Sequence, residues 1–371
     1  MIPVYCRSGF ENGKEARTQK QLLKRIIMAL VALKTIVDHA FANRYAAGAF
    51  NVINLDFLEA IVTAAEARRS PVILNIAEVH FKYVTIENIC PAIRSLAGRS
   101  DVPIALNLDH GESFEAVIRA VRNGFTSIMF DGSKLSYDEN VRQTAEIVKI
   151  CHAAGISVEA ELGAVGGAEG GALEGSADRK LFTDPAQAGD FVHRTGIDAL
   201  AVAIGNAHGK YKGTPQLDFN RLDRVRAAAG IPLVLHGGSG IPDYDFRRAI
   251  QLGIAKINFY TGMSMAALEA TAGAITATGS LYNDYPEVLK KVKESVARVV
   301  MAQMDVFGSS AVCRKDNDQC LHCGSCGKES AGRPFNGEQT PAGRRSGLSD
   351  EERRFVEEVT RKAIQNLHNR L

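Results

Sequence analysis

Eight short apolar runs recur between residues 47 and 261, and longer stretches with helical spacing separate them. The runs are AGAFNV (47–52), PVILNI (71–76), PIALNLD (103–109), SIMFDG (127–132), SVEAELG (157–163), ALAVAIG (199–205), PLVLHGG (232–238) and KINFYT (256–261). They are continuously apolar, which is typical of parallel strands covered by helices. Eight successive β/α units predict an α/β fold, a closed (β/α)8 TIM barrel, with a doubly wound open sheet as the main alternative.

The segments that flank this alternation differ from it in composition and pattern. We predict four regions: a basic N-terminal arm outside the fold at 1–27, the barrel with its flanking helices at 28–309, a Cys-rich segment and linker at 310–347, and an amphipathic helix at 348–371. The last helix has a well-marked start, because Ser349 and Glu352 form a capping box. The linker assignment follows from the many Gly, Pro, Arg and Ser residues before it.

Composition excludes several classes of function. The formal net charge is +2 over 371 residues, which gives no reason to expect nucleic acid or an anionic membrane as a partner. The longest apolar run, Ile26–Leu33, is far shorter than the roughly 20 residues that span a bilayer. Because the sequence also has no recognisable cleavable signal, we expect a cytoplasmic protein.

Histidines stand where three of the predicted strands end, and that end of a (β/α)8 barrel carries the active site. His110 follows strand three, His208 follows strand six and His236 lies at the end of strand seven. A single histidine at such a position is usually structural. Three imidazoles that leave a fourth position open are a common catalytic zinc arrangement, so the pattern predicts a metal centre.

Three carboxylates accompany these histidines. Asp131 ends strand four, and Glu159 and Glu161 lie on strand five. Asp131 and Glu161 offer either an alternative metal position or acceptors that orient the imidazole N–H groups. For Asp131 and Glu159, a polar filling of the barrel mouth is the alternative interpretation.

Glycines and small polar residues at the ends of the last strands predict a phosphate site. Loops after strands seven and eight often bind phosphate in these barrels, and oriented backbone N–H groups attract anions. Glycines that only permit tight turns are the alternative. The candidate phosphate-binding residues are Gly209, Lys212, Gly237, Gly238, Ser239, Asn258 and Thr261.

A glycine-rich segment, GAVGGAEGGALEG at 163–175, follows strand five. Such a segment cannot pack a core, so it predicts a mobile loop over the barrel mouth. Glu169 is the residue that such a lid would bring to the site, and a plain flexible linker is the alternative.

Four of the seven cysteines are crowded near the end of the chain, at Cys313, Cys320, Cys323 and Cys326. Four thiolates can hold Zn²⁺ or an iron–sulfur cluster, although this spacing matches neither common ferredoxin pattern. A second metal site is therefore one interpretation, and free or redox-paired thiols are the other.

Seven motifs resemble, in order, those of the class II fructose-bisphosphate aldolase family, which includes the tagatose-bisphosphate aldolases. They are YAAGAFNV, NLDHG, GFTSIMFDGS, VEAELGAVGG, AIGNAHGKYKG, LHGGSGIP and KIN, and they cover about residues 30–309. The resemblance implies a zinc-dependent lyase of carbohydrate metabolism that cleaves a ketose phosphate or bisphosphate reversibly to dihydroxyacetone phosphate and an aldehyde. It also implies a sugar phosphate as the partner, a homo-oligomer (dimer or tetramer) and a monovalent cation near the phosphate.

The resemblance also implies roles for individual residues. The three histidines match the zinc ligands, and Asp109 matches the acid/base that handles the proton of the C4 hydroxyl. Glu161 and Asp131 match positions tied to a second metal site, and Glu169 matches the mobile-loop acid/base at the nascent carbanion. The ketose-phosphate site is matched by Gly209, Gly237, Ser239, Asn258 and Thr261.

Two positions depart from the family pattern near the expected aldehyde half. Ala77 stands where many members have Ser, and Tyr260 stands where many have Asp or Ala. These changes favour another ketose phosphate, including one with no second phosphate. The rival functions are another metal-dependent barrel enzyme of the hydrolase type and a scaffold or redox protein that uses the cysteines.

The terminal helix after a linker is similar to the encapsulation peptides that dock enzymes inside bacterial microcompartments. It predicts a docking partner or a microcompartment shell, and packing on its own barrel or on a second subunit is the alternative.

Overall fold

The protein is described by a computed structural model over residues 30–167, 179–209, 211, 213–278, 284–313 and 321. Within these residues, eight parallel strands close into a barrel in sequential order. The strands are β1 (Ala47–Asn51), β2 (Val72–Ala77), β3 (Ile104–Gly111), β4 (Ser127–Phe130), β5 (Ser157–Leu162), β6 (Ala199–Val202), β7 (Leu233–Leu235) and β8 (Ile254–Phe259).

Helices alternate with these strands around the outside of the barrel. They are α1 (Leu33–Asn43), α2 (Leu55–Arg68), α3 (Ile86–Ala97), α4 (Phe114–Arg122), α5 (Tyr137–Ala153), α6 (Pro185–Thr195), α7 (Phe219–Ala229), α8 (Asp243–Gln251), α9 (Thr261–Thr278) and α10 (Tyr285–Val306). Short 3₁₀ turns occupy Glu78–His80 and Arg179–Leu181. In the part of the chain that the structure describes, no helix has both the length and the apolar character of a membrane span.

The barrel closes through β1 and β8, where Gly48 pairs with Ile257 and Phe50 with Phe259. This pairing rules out the doubly wound open sheet, which leaves two free edges, and confirms the predicted TIM barrel. Each predicted apolar run contains or overlaps one observed strand. The runs are apolar throughout because both strand faces are buried, one against the helices and one inside the barrel.

The side chains inside the barrel differ between its two ends. At the N-terminal end, small apolar side chains such as Ala47, Ala105 and Ala201 pack with Leu33 and Ile36 of α1. Helix α1 therefore seals that end with an apolar plug. Toward the C-terminal end the inward residues become polar and charged, and all of the following are buried: Asn75, Asn107, Asp109, Glu159, Glu161, His236, Lys256 and Asn258.

Side-chain caps start several helices just after the rim of the barrel. Asn54 accepts a hydrogen bond from the N–H of Phe57 at 2.9 Å, and Ser113 accepts one from Ala116 at 3.1 Å. These bonds satisfy N–H groups that the first turn of a helix leaves unpaired. They fix where the chain turns back, and hence how long each rim loop is.

The chain after α10 returns to the N-terminal end of the barrel. Ala311 and Cys313 donate backbone hydrogen bonds to the carbonyls of Arg68 and Arg69, at 2.7 and 2.9 Å. Leu321 is buried in the same apolar plug as α1. Contact with the barrel therefore extends past residue 309, whereas the predicted basic arm, most of the cysteine cluster and the terminal helix lie outside the described residues.

Candidate active site

Three imidazole nitrogens converge at the C-terminal mouth of the barrel. His110 Nε2 lies 3.1 Å from His208 Nε2 and 2.8 Å from His236 Nδ1. His110 is on β3, His208 follows β6 and His236 directly follows β7, so closure of the barrel is what brings them together. Their nitrogen atoms all lie within 4.8 Å of one another, which is close enough to ligate one metal ion.

A bulge at the end of β3 aims two consecutive residues at this mouth. Successive side chains of a strand normally point to opposite faces. The pairing of β3 with β4 shifts register between Leu108 and Gly111, and His110 has φ 44°. Such a backbone is strained by about 1–3 kcal/mol for a residue other than glycine. As a result, both Asp109 and His110 contact the site.

Asp131 and Glu161 form a second group with His110. Asp131 Oδ2 lies 2.7 Å from His110 Nδ1 and so turns Nε2 of that ring toward the other histidines. Glu161 accepts a hydrogen bond from the N–H of Val165, while its Oε2 has no hydrogen-bond partner among the described residues. Burial, together with the charge of Asp131, raises the pKa of Glu161 to about 8. A neutral carboxyl that releases its proton on metal binding suits an alternative ligand position.

The three imidazoles differ in pKa, so that one ring is protonated at neutral pH and the other two are neutral. Burial lowers the pKa of His110, but Asp109, Asp131 and Glu161 outweigh burial and raise it to about 10. Burial and the other two histidines lower the pKa of His208 to about 3. Burial, His110 and Lys256 also lower the pKa of His236. Neutral imidazole is the form that ligates metals, so two of the three rings are already in that form.

Asp109 is a fully buried carboxylate beside the three imidazoles. Its Oδ1 accepts a hydrogen bond from the Asn258 amide at 2.8 Å, and its Oδ2 has no hydrogen-bond partner among the described residues. Burial raises the pKa of Asp109, but the charges of His110, His236 and Lys256 outweigh burial and lower it. The carboxylate therefore stays ionised at neutral pH with one oxygen available to accept a proton.

Behind His236 lies a buried ion pair. Glu159 Oε1 is 2.9 Å from His236 Nε2, and Glu159 Oε2 is 2.7 Å from Lys256 Nζ. From the sequence, Lys256 is expected to begin strand eight at the end away from the rim. The structure corrects this: Lys256 is the third residue of β8, and its long side chain reaches Glu159 inside the barrel.

A narrow pocket beside the histidines gathers most of the predicted phosphate residues. Its volume is about 260 Å³, including the space open to solvent. It is lined by His208, Gly209, Gly237, Gly238, Ser239, Asn258, Phe259, Tyr260 and Thr261. Gly237 has φ 63°, and an added Cβ there would overlap the carbonyl oxygen of Ala207, so this position requires glycine. Lys212 lies outside the described residues.

Tyr211 links two segments of the wall of this pocket, a role that no pattern in the sequence indicates. Its hydroxyl accepts a hydrogen bond from the N–H of Ala207 at 2.7 Å and donates one to the carbonyl of Gly237 at 3.1 Å. Gly166 adds a second link, because its carbonyl accepts the N–H of His208 at 2.8 Å. Loops after β5, β6 and β7 are thus tied to one another around the metal-ligand candidates.

Of the two departures from the family pattern, Tyr260 lines this pocket and Ala77 lies at the end of a neighbouring strand. Ala77 ends β2, and the 3₁₀ turn that follows carries the buried His80. The His80 ring lies 4.9 Å from the Tyr260 ring, centroid to centroid. Burial lowers the pKa of His80, with Asp109 opposing, so the ring is neutral. The two rings of this wall are therefore aromatic and uncharged, and the nearby Lys82 charge also lowers the pKa of His80.

The predicted lid glutamate and three of the four clustered cysteines lie outside the described residues. Glu169 lies outside the described residues, as do Cys320, Cys323 and Cys326. Cys313 is buried, and its carbonyl accepts two hydrogen bonds from the Arg69 guanidinium, at 2.8 and 3.2 Å. A metal at the cysteine cluster and a lid role for Glu169 remain predictions from the sequence.

The donor set at the mouth fits a zinc ion. Three imidazole nitrogens with a neighbouring ionised carboxylate are the ligand types and charge that zinc prefers in catalytic sites. The contacts of 2.8 and 3.1 Å bring the three imidazole nitrogens to one point, where a bound zinc ion would replace the proton that His110 holds.

Comparison with known proteins gives the family. The sequence model described as "Fructose-bisphosphate aldolase class-II" matches residues 31–311. The fructose-bisphosphate aldolase of Geobacillus stearothermophilus is 40% identical over 287 residues, 76% of this chain and 98% of the relative. That of Staphylococcus aureus (strain Mu50) is 39% identical over 286 residues, 76% of this chain and 99% of the relative.

A solved structure agrees with these matches. The YdjI aldolase from Escherichia coli K12 is 36% identical and superposes with a TM-score of 0.66, over 76% of this chain and 98% of that one. The predicted resemblance is confirmed, and with it the class of enzyme, a lyase of carbohydrate metabolism. The chain belongs to the class II fructose-bisphosphate aldolase family.

Proposed function

We propose that the protein catalyses zinc-dependent, reversible aldol cleavage of a ketose phosphate to dihydroxyacetone phosphate and an aldehyde. One observation carries the proposal: three imidazole nitrogens within 4.8 Å of one another lie beside an ionised carboxylate and a glycine-lined pocket. Aldol cleavage needs these three parts together, because it must stabilise a carbanion, remove a hydroxyl proton and hold a phosphate.

His110, His208 and His236 would hold the zinc ion, with Asp131 and Glu161 as the alternative ligands around His110. A bound zinc ion supplies Lewis-acid stabilisation for the negative charge that cleavage leaves beside the carbonyl. Among the protein's own groups, Asp131 keeps His110 oriented for this task through its contact with Nδ1.

Asp109 is the proposed acid/base at the C4 hydroxyl. It accepts the hydroxyl proton as the C3–C4 bond breaks, C4 becomes the carbonyl carbon of the aldehyde, and the bonding electron pair stays on C3. In condensation Asp109 returns the proton to the new hydroxyl. The free Oδ2 of Asp109 supports this role, since Asn258 occupies the other oxygen. Protonation at C3 we assign, from the family resemblance, to Glu169.

The pocket formed by Gly209 and Gly237–Ser239 is the proposed site of the ketose phosphate. The backbone N–H groups of Gly209 and Gly237, with small hydroxyl side chains beside them, suit a phosphate dianion. The N–H of Gly238 instead donates to the carbonyl of Asn258 at 3.1 Å. Gly237, with φ 63°, lets the loop after β7 approach the Ala207 carbonyl closely, and this approach forms the wall of the pocket.

The aromatic wall of His80 and Tyr260 supports an aldehyde whose nearest part is uncharged. Its rings offer van der Waals contact and hydrogen bonds without positive charge, so they do not suit a second phosphate at that point. We therefore propose that the aldehyde is neutral beside Tyr260, which favours a ketose phosphate other than fructose or tagatose bisphosphate.

The proposal is tested by incubating the zinc-loaded protein with dihydroxyacetone phosphate and a panel of aldehydes, then identifying products by mass and NMR. A ketose phosphate with a new carbon–carbon bond is expected. Release of inorganic phosphate without a new bond would favour the hydrolase alternative. The scaffold alternative predicts that His110→Ala has no effect, whereas an aldolase loses barrel zinc and activity.

A further inference from the structure

The buried ion pair of Glu159 and Lys256 contacts His236, one of the metal-ligand candidates. The proposed reaction assigns no role to this pair. Both side chains are fully buried. Each Glu159 oxygen has one partner, His236 Nε2 at 2.9 Å and Lys256 Nζ at 2.7 Å. A buried ion pair is weak evidence of stability by itself, because desolvation offsets most of the attraction. Its position beside His236 is therefore the informative property.

The contacts of His236 define which ring nitrogen carries hydrogen. Glu159 can only accept when ionised, so the nitrogen facing it, Nε2, must donate. The Asn258 amide nitrogen lies 3.2 Å from Nδ1 and 3.5 Å from Nε2, so it does not distinguish the two ring nitrogens. The Glu159 contact alone leaves the lone pair on Nδ1, and Nδ1 is the atom that lies 2.8 Å from His110 Nε2.

Lys256 is the counter-charge and hydrogen-bond partner of Glu159, with 2.7 Å between Nζ and Oε2. A carboxylate removed from water is costly unless a counter-charge and hydrogen bonds accompany it. In the described part of the barrel interior, Lys256 is the cation in contact with this carboxylate, and it comes from β8 on the far side of β6 and β7.

We infer that Glu159 and Lys256 are positioning residues for the zinc centre: Lys256 fixes the position of the Glu159 side chain, and Glu159 holds His236 in the tautomer that presents Nδ1 to the metal. Neither residue touches the metal or the substrate in this account. The inference rests on the proposed function, because it requires that the three histidines bind zinc.

A purely structural role for the pair makes a different prediction. If the pair only fills the barrel, its replacement changes the free energy of unfolding but not the affinity of the folded protein for zinc. If the pair positions His236, zinc affinity falls even in a variant that folds normally. Zinc affinity, measured by competition with a chromogenic chelator, therefore separates the two roles.

The experiment uses Glu159→Gln, Lys256→Met and the double variant, each as the full chain. Loss of an outer-shell partner typically costs about ten- to hundredfold in metal affinity. We expect that loss in Glu159→Gln and in the double variant alike, because Lys256 acts through Glu159. Lys256→Met should therefore weaken zinc binding in the wild-type background and add nothing in the Glu159→Gln background.

The double variant also guards against failure to fold, since it removes both charges of the pair together. Asp198→Asn is the matched control: Asp198 Oδ2 contacts His152 Nε2 at 2.8 Å, and His152 is at the end of α5, away from the mouth. This control should keep wild-type zinc affinity. Unchanged zinc affinity in the double variant, or losses that simply add in the cycle, would overturn the inference.

The wild-type protein distinguishes this failure from failure of the proposed function. If the wild-type protein binds no zinc at the three histidines, both the proposed function and the positioning role are wrong. Wild-type protein that binds one zinc ion and catalyses aldol cleavage, with variants of equal affinity, would remove only the positioning role.

Discussion

Asn258 holds one oxygen of Asp109, with its amide 2.8 Å from Oδ1, while Oδ2 of the same carboxylate has no hydrogen-bond partner among the described residues. The amide fixes the carboxylate plane without neutralising its charge. A carboxylate held in this way is oriented and still able to accept a proton, which is what a general base requires. Asn258 therefore has a second use beyond its predicted place in the phosphate pocket.

Replacing Asp109 by Asn should separate proton transfer from metal binding. The amide has nearly the same shape but cannot take the hydroxyl proton, so we expect kcat for cleavage to fall by about 10²–10⁴. Zinc content, measured by atomic emission on the purified variant, should stay at the wild-type value. A loss of less than about tenfold in kcat would show that another group is the base.

Replacing Tyr211 by Phe should weaken phosphate binding more than catalysis. The change removes one hydroxyl that links Ala207 to Gly237, at 2.7 and 3.1 Å. A hydrogen bond of this kind is worth about 1 kcal/mol, so KM for dihydroxyacetone phosphate should rise about fivefold with kcat nearly unchanged. Burial raises the pKa of Tyr211 to about 12, so the effect should be the same from about pH 6 to pH 9. Steady-state kinetics across that range would check this, and an equal fall in kcat would contradict it.

Replacing Tyr260 by Ala should change the choice of aldehyde. Tyr260 packs on His80 at the mouth, where the aldehyde half is proposed to lie. We expect kcat/KM to shift by about tenfold between short and bulky neutral aldehydes, in favour of the bulky ones, because pocket size discriminates on that scale. Dihydroxyacetone phosphate is kept at saturating concentration throughout, because Tyr260 also lines the phosphate pocket. An unchanged aldehyde profile would place the aldehyde elsewhere.

A surface ion pair gives a prediction for stability against pH. Arg119 binds both oxygens of Glu87 at 2.7 Å, and this contact lowers the pKa of Glu87 from 4.5 to about 2. Because the folded-state pKa is the lower one, the pair stabilises the fold above about pH 4.5, and its contribution disappears as pH falls toward 2. Both side chains are well exposed, so the contribution is at most about 1 kcal/mol.

Urea unfolding of Glu87→Gln measures that contribution. We expect a small loss at neutral pH that shrinks to zero in acid, with Glu66→Gln, an exposed helical glutamate, as the control without loss. A loss that stays constant down to about pH 2 would contradict the assignment to this pair.

The sequence predicted the barrel well because its signal is local. Each run was apolar throughout because both faces of each strand are buried, and each run contains or overlaps one observed strand. The same argument placed the histidines at the rim, since the end of a parallel strand is readable from the chain alone.

What the sequence missed depends on contacts across the barrel. The pairing of Glu159 on β5 with Lys256 on β8 is set by strand tilt and side-chain length, which no local pattern encodes. Likewise, the bulge that turns His110 to φ 44° arises from the register of β3 against β4. Tyr211 was missed because its role depends on a loop folding back onto two others.

The central claim is that the three-histidine centre stabilises a carbanion next to a carbonyl, and this half of the reaction needs no aldehyde. NMR of dihydroxyacetone phosphate in D₂O follows exchange of a hydrogen on its hydroxymethyl carbon. We predict that the zinc-loaded protein catalyses this exchange, that a chelator abolishes it, and that added zinc restores it to wild type but not to His208→Ala. A folded, zinc-loaded protein that gives no exchange above the buffer rate would contradict the account.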